Sequence, residues 1–287
     1  MKQIKLNLLL DLSNLIKDSH FYKVYIGYDK KMYLLVINKK EHEEREVYNH
    51  DMYIIQNKSI LLHIEIHNLL SKYTIVQPYG IDKILLVKPR TFKDDNNAKI
   101  YNYNGELLHQ FNLGDGIEKT IVTDKGEIWT SYFDEGVFGS TIGKNGLIKW
   151  TEKGKPIYKY NGKGDYRIDD CYALNISNNI TWFYAYDKFM VTRINDNKLS
   201  YFDCNIRGAN FLINHNNFIL MNGGYNNRNE LILLKFYNSK LVVHQTFQLI
   251  DKENEVIKMD CLDYLESCIV IVHKSNLYLF CLEEYIK

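Results

Sequence analysis

The chain has no uninterrupted apolar stretch approaching the roughly 20 residues that a membrane-crossing helix requires, so no membrane partner is expected. It has no excess of charge either. Lys plus Arg number 36 against 35 Asp plus Glu, a net charge of +1, and no global field favours a polyanion such as nucleic acid. A secretory leader is not expected: Lys2 and Lys5 precede Leu8-Leu9-Leu10, but Asp11 and Asp18 interrupt the segment before any small-residue cleavage site. These absences point to a soluble, cytoplasmic protein. There is no CxxC pair. The odd set Cys171, Cys204, Cys261, Cys268 and Cys281 is irregularly spaced and suits reduced core thiols better than a disulfide frame or a zinc knuckle. Nucleophile elbows, GxxxxGK[ST] phosphate loops and GxGxxG turns are also missing, and Gly223-Gly224 leads into no predicted helix.

What is present is material for a large core: 287 residues, 46% hydrophobic and 14% aromatic. Apolar residues recur at period two, or in short blocks bounded by Asn, Gly and Asp, which is a strand-and-turn pattern. One unit is clear. Thr120 to Thr123, the turn Asp124-Lys125-Gly126, Glu127 to Tyr132, a loop, Leu147 to Trp150, the turn Glu152 to Lys155, and Pro156 to Tyr160 make four strands. The pattern returns at Cys171 to Asp203, with turns Ser177-Asn178-Asn179 and Asp196-Asn197, and again at Asn210 to Leu249. Upstream, Ile75 to Leu113 carries Asn104-Gly105 as a hairpin signal, and Val24 to His67 makes a first unit.

A four-strand unit recurring every ~40–50 residues is the period of propeller blades. The expected fold is therefore an all-β β-propeller of six four-stranded blades, in a single domain spanning 1–287. The last unit, Val256 to Leu262, Ser267 to His273 and Asn276 to Leu282, shows only three strands; a strand from Lys2 to Leu10 would supply the fourth and close the ring. A short amphipathic helix over Leu6 to Ile16 competes for the same residues. A pair of β-sandwiches or an irregular β-solenoid fits the repeated unit less well.

The segments Ile128 to Gly139 (Ile-Trp-Thr-Ser-Tyr-Phe-Asp-Glu-Gly-Val-Phe-Gly), Asp170-Cys171-Tyr172-Ala173-Leu174-Asn175 and Asn222-Gly223-Gly224-Tyr225 resemble those of an uncharacterised bacterial, β-propeller-like family. The resemblance covers residues 118 to 236 and implies a fold and a bacterial source, with no activity attached. The loop Ser140 to Asn145 is short where the family carries a longer Gly- and Pro-rich insertion, a departure that bears on any shared ligand.

Strand direction alternates within a blade, so loops between second and third strands open on the same face as loops entering each first strand. One rim should therefore collect Asp134, Glu135 and Phe138; Asp165, Arg167, Asp169 and Asp170, with Tyr172 just beyond; Arg207; and Tyr225 and Arg228. The loops Lys39 to Glu46 and Arg90 to Asn97 should open there too. Asp134, Glu135 and Asp170 could hold a hard cation such as calcium, or supply a general base to a metal-activated water. The plainer expectation is that they cap loop amides or pair with Arg193, Arg207 and Arg228. The aromatics Tyr132, Phe138, Tyr172, Trp182 and Tyr225 either stack a flat ligand or pack between blades.

His63-Ile64-Glu65-Ile66-His67 sets two imidazoles and a carboxylate on one side of a strand. Such a row could contribute zinc ligands if a third came from elsewhere; an exposed polar strand face is the ordinary reading. No catalytic constellation is complete. The function expected is a non-catalytic propeller that binds a protein or small-molecule ligand through the rim, without a cofactor. The alternative is a metal-assisted hydrolase, lactonase- or esterase-like, with calcium or another divalent cation held by Asp134, Glu135 and Asp170.

Overall fold

The computed structural model describes residues 1–40, 47–69, 71–92 and 95–286. Strand accounts for 57% of residues and helix for 7%, so the chain is all-β. It opens with β1 (Lys2–Lys5), β2 (Leu10–Asp11) and a one-turn helix, α1 (Ser13–Ile16). The first sheet is β3 (Phe21–Ile26), β4 (Met32–Lys40), β5 (Val47–Gln56) and β6 (Ser59–Leu69), in that order. The second is β7 (Ile75–Tyr79), β8 (Lys83–Val87), β9 (Ala98–Asn102) and β10 (Leu107–Phe111). The third is β11 (Ile117–Val122), β12 (Ile128–Tyr132), β13 (Leu147–Trp150) and β14 (Pro156–Lys159), with helix α2 (Asp134–Gly139) between β12 and β13. Two further meanders follow: β15 (Asp170–Ser177), β16 (Ile180–Tyr186), β17 (Met190–Asn195) and β18 (Lys198–Asp203), then β19 (Leu212–His215), β20 (Phe218–Gly223), β21 (Asn227–Tyr237) and β22 (Lys240–Ile250). The chain ends with β23 (Cys261–Leu265), β24 (Cys268–His273), β25 (Asn276–Cys281) and helix α3 (Leu282–Tyr285).

The first strand of each meander touches the next in cyclic order, β3 to β7, β11, β15, β19, β23 and back to β3, which gives a propeller-like arrangement about a central axis. Inner strands are therefore covered on both faces: every residue of β7 and of β12 is buried. Outer strands alternate. On β5, Tyr48, His50, Met52 and Ile54 turn inward while Val47, Asn49, Asp51 and Tyr53 are half-buried. Tight turns carry the residues that tolerate a left-handed backbone: Asn178 and Asn179 have φ of 52° and 61°, Asp196 and Asn197 46° and 62°, as two-residue hairpin turns demand.

Six separate four-stranded blades are not what forms. Four sheets have four strands each, whereas β15–β18 and β19–β22 share one nine-stranded sheet with β1. The cause is the length of β22: at 11 residues it reaches β18, pairing Lys240 with Asp203 in parallel, and offers Phe247 to Ile250 to Lys2 to Lys5 of β1. The N-terminal segment thus divides. β1 goes to β22, only Leu10 and Asp11 pair with β25, opposite Leu277 and Asn276, and the helix is limited to α1. These four-residue and two-residue strands together cover sheet edges that would otherwise stand open.

Other boundaries move as well. The third sheet begins at Ile117 rather than Thr120, which brings Glu118 and Lys119 into the innermost strand. In the last sheet the first strand runs Cys261–Leu265 rather than from Val256. Asp134 to Gly139 is helical instead of a loop. Asp134 and Glu135 occupy its first turn, where carboxylates complement the exposed amides. Gly136 lets that turn press on Gly116, whose φ is +74°: a Cβ on Gly136 would lie 2.6 Å from the Asp115 carbonyl oxygen and 3.0 Å from Gly116 Cα.

The cysteines depart from the expected reduced set. Cys268 and Cys281 face each other in the β24–β25 register and form a disulfide, leaving Cys171, Cys204 and Cys261 free. Pairing of this kind depends on strand register, which irregular cysteine spacing does not reveal. Ellman titration of the denatured, unreduced chain should detect the three thiols of Cys171, Cys204 and Cys261, rising to five on reduction. Loss of the cross-link should cost about 3 kcal/mol by loop-closure entropy. Five thiols before reduction would disprove the bond.

Candidate functional site

The N-terminal ends of the inner strands meet around an axial cavity of about 180 Å³. Lys23 of β3, Glu118 of β11, Tyr172 of β15, Asn210 ahead of β19 and Asp260 ahead of β23 are among its lining residues. Below them an ion pair crosses the axis. Lys119 Nζ lies 2.9 Å from Asp263 Oδ1 and donates to the Tyr264 carbonyl at 2.6 Å, with both charged side chains only 11% exposed. The Ile26 amide donates to Asp263 Oδ2 at 3.0 Å, and the Leu174 amide donates to the Tyr264 hydroxyl at 3.1 Å. Lys119 Nζ also sits 3.1 Å from the centre of the Tyr264 ring. Burial pulls the Lys119 ammonium below its usual range, and Asp263 opposes that pull.

At the mouth the charge is less balanced. Burial, and then Glu118, Asp134 and Glu135, push the Asp170 carboxyl up to about 7. The Asp170 side chain has no hydrogen bond or ion pair among the described residues. Glu118 is raised by the protein packed around it, with Lys23 and Lys119 lowering it, while its side chain opens onto the cavity it lines. Glu135 is partly neutralised by Arg90, whose Nη1 is 3.5 Å from Glu135 Oε1 and whose Nε is 3.2 Å from Asp115 Oδ1.

Beside the acids stands a group of aromatic rings. The hydroxyls of Tyr172 and Tyr225 are 2.7 Å apart. Tyr172 stacks with Tyr186 at 6.4 Å and meets Phe189 edge-on at 5.8 Å. Tyr186 lies opposite Asp170 in the β15–β16 register, so the aromatic and acidic groups are contiguous. Tyr186 and Tyr225 remain 45% and 57% exposed.

The expected rim residues therefore separate into groups. Asp134 and Glu135 are close enough to Asp170 to help raise its carboxyl, and Tyr172 joins Tyr225. Phe138 is 69% exposed on α2. Arg207 and Arg228 are exposed; their carbonyls accept from the Tyr225 amide and the Asn222 side chain. The arginine that meets the acids is Arg90 and not Arg193, Arg207 or Arg228: Arg193 stacks on Trp182 and Phe202, while Arg167 pairs locally with Asp169 at 2.8 Å. Tyr132 and Trp182 belong to the core. Residues 41–46 and 93–94 of the two loops expected at this face lie outside the described residues.

As for metals, the described groups whose ligand atoms all lie within 4.8 Å are Asp51–His63–Glu65 and Cys268–Cys281–Glu283; Asp134, Glu135 and Asp170 do not form such a set. The Cys268–Cys281–Glu283 group includes the disulfide. Sequence reasoning missed Glu118, Lys119 and Asp263. The available signal was a charge inside an apolar strand, as in Cys261-Leu262-Asp263-Tyr264-Leu265, which has to be partnered if buried.

No family model and no curated protein sequence matches this chain. Solved structures that align with it include BamB from Moraxella catarrhalis, at 9% identity and a TM-score of 0.47 over 88% of this chain and 83% of that one. Apo AztD from Citrobacter koseri aligns at 8% identity and a TM-score of 0.45, over 92% and 84%. The Pan2 WD40 domain of Neurospora crassa aligns at 10% identity and 0.43, over 90% and 87%. At these scores the likenesses transfer no function.

Two measurements probe the site. Asp263→Ala strands a buried ammonium and the Ile26 amide, and should lose about 3–5 kcal/mol in denaturant unfolding. The paired change Lys119→Met with Asp263→Leu should recover most of that loss. Asp170 behaves differently, because its folded pKa of about 7 stands above the ordinary 3.8. The folded state holds a proton that the unfolded chain has released, so the stability from this group is full below about pH 4 and is lost as pH rises through 7. Asp170→Asn should match the wild type in Tm below pH 4 and exceed it at pH 8; equal melting at pH 8 would refute the raised pKa.

Proposed function

We propose that this protein is a non-catalytic binding scaffold whose axial mouth receives a basic side chain of a partner protein against the tyrosine cluster. The observation that carries this reading is Asp170, a carboxyl with no partner among the described residues, held among Glu118, Asp134 and Glu135 beside exposed Tyr225 and Tyr186. An incoming ammonium or guanidinium would relieve the repulsion among these acids. The rings would supply rigid, amphipathic contact area at low entropic cost. The cavity of about 180 Å³ has room for the end of one side chain rather than for a large ligand.

Affinity capture from the source cells followed by mass spectrometry should recover a partner with a basic surface. Tyr225→Ala should reduce its recovery about tenfold or more, the range of interface anchors. Glu118→Gln combined with Asp170→Asn should weaken it comparably and lessen its sensitivity to salt. Binding should also be tighter at pH 8 than at pH 6, since Asp170 ionises near 7. Undiminished capture by both sets of variants, each folded by circular dichroism, would refute the placement of the site.

A further inference from the structure

Asp51 on β5 and His63 and Glu65 on β6 stand on one face of the first sheet, each offering a ligand atom within 4.8 Å of the other two. Pleating explains the grouping. His63 and Glu65 alternate with the buried Ile64 and Ile66, and antiparallel register sets Asp51 opposite Glu65 and Tyr53 opposite His63. His63 Nε2 lies 2.9 Å from Asp51 Oδ1, and Glu65 Oε1 is 4.0 Å from the other ring nitrogen, Nδ1, so an ion held at Nε2 with Asp51 takes Glu65 as its third ligand once that exposed side chain turns toward Nε2. Two ligand atoms about 2.0–2.1 Å from a tetrahedral ion stand about 3.3 Å apart. The Asp51–His63 contact would widen by only a few tenths of an ångström to admit one.

Two neighbours hold the ligands before any ion arrives. Asn38 Nδ2 on β4 donates to Asp51 Oδ2 at 2.9 Å, which leaves Oδ1 turned toward His63. The His63 ring lies flat on Tyr53, with centroids 4.5 Å apart and 6° between planes. Outer partners of this kind orient the ligands of metal centres. His67 touches Glu65 from the other side, Nε2 to Oε2 at 3.3 Å, and falls outside the convergent set. An imidazole beside two carboxylates favours a borderline ion over magnesium or calcium, which prefer oxygen alone.

We propose that Asp51, His63 and Glu65 form a binding site for a divalent cation of the zinc class, with its fourth position open to water or an incoming donor. Side-chain exposures of 22%, 38% and 55% for Asp51, His63 and Glu65 leave the ion a path in. Bound there, it would clip the edge strand β6 to β5.

Isothermal titration of zinc chloride into the chelator-treated full chain tests this. One saturable equivalent is expected; His63→Ala and Glu65→Gln should each weaken it by a factor of ten or more. Asn38→Ala should weaken it about tenfold through the outer contact alone, which adventitious surface binding would not show. His67→Ala should leave it unchanged. Glu65→Gln, an isosteric change on an exposed strand face, decides the matter if His63→Ala disturbs folding. No saturable equivalent in the wild type, one that survives Glu65→Gln, or one lost with His67→Ala would overturn the site.

Discussion

Three steps apart in the ring of inner strands, β11 and β23 are tied by the buried contact of Lys119 with Asp263. Charges this deep are stable only when every donor and acceptor has a partner, and here the partners come from four inner strands. Asp263 takes the ammonium of β11 and the Ile26 amide of β3; Tyr264 takes the same ammonium on its carbonyl and the Leu174 amide on its hydroxyl. Apolar packing between sheets tolerates sliding of one surface over another. A hydrogen-bonded ionic network does not, so it constrains how the inner strands meet and hence the shape of the cavity above them.

That cavity has its character because of the same strands. The register of β11 shifts between Ile117 and Lys119, which breaks strict alternation, so Glu118 and Lys119 both line the cavity. Gly116 and Gly136 then allow α2 to come close enough that Asp134 and Glu135 act on Asp170 across the mouth. Among the described residues this repulsion is only partly compensated: Arg90 meets Glu135, while the Asp170 carboxyl meets no cation. Stability left unrealised at a concave, aromatic-flanked surface is what a binding site presents to its partner.

Much of the fold was legible along the chain because strands and turns are local. The Asn178-Asn179 and Asp196-Asn197 turns stand where residues tolerant of a left-handed backbone predict them, and the strand-rich repeat yields the propeller-like ring. Part of the site was legible for a similar reason: meander geometry brings Asp134, Glu135 and Asp170 to one end. Sheet membership was not. Whether β22 stops at its own meander or continues to β18 and β1 turns on a single bridge, Asp203 to Lys240, and on four parallel pairings that leave no periodic signature.

By itself the sequence determined strand class, turn positions and the absence of a charge bias, since these follow from side-chain type and spacing. Tertiary structure decided which charges meet. Lys119 and Asp263 are 144 residues apart, Arg90 meets Glu135 rather than Arg207 or Arg228 doing so, and Asp51 completes the His63–Glu65 pair from the neighbouring strand. Electrostatic and hydrogen-bonding partners are selected by distance in space, and strand register with inter-sheet packing sets that distance in ways linear spacing does not encode.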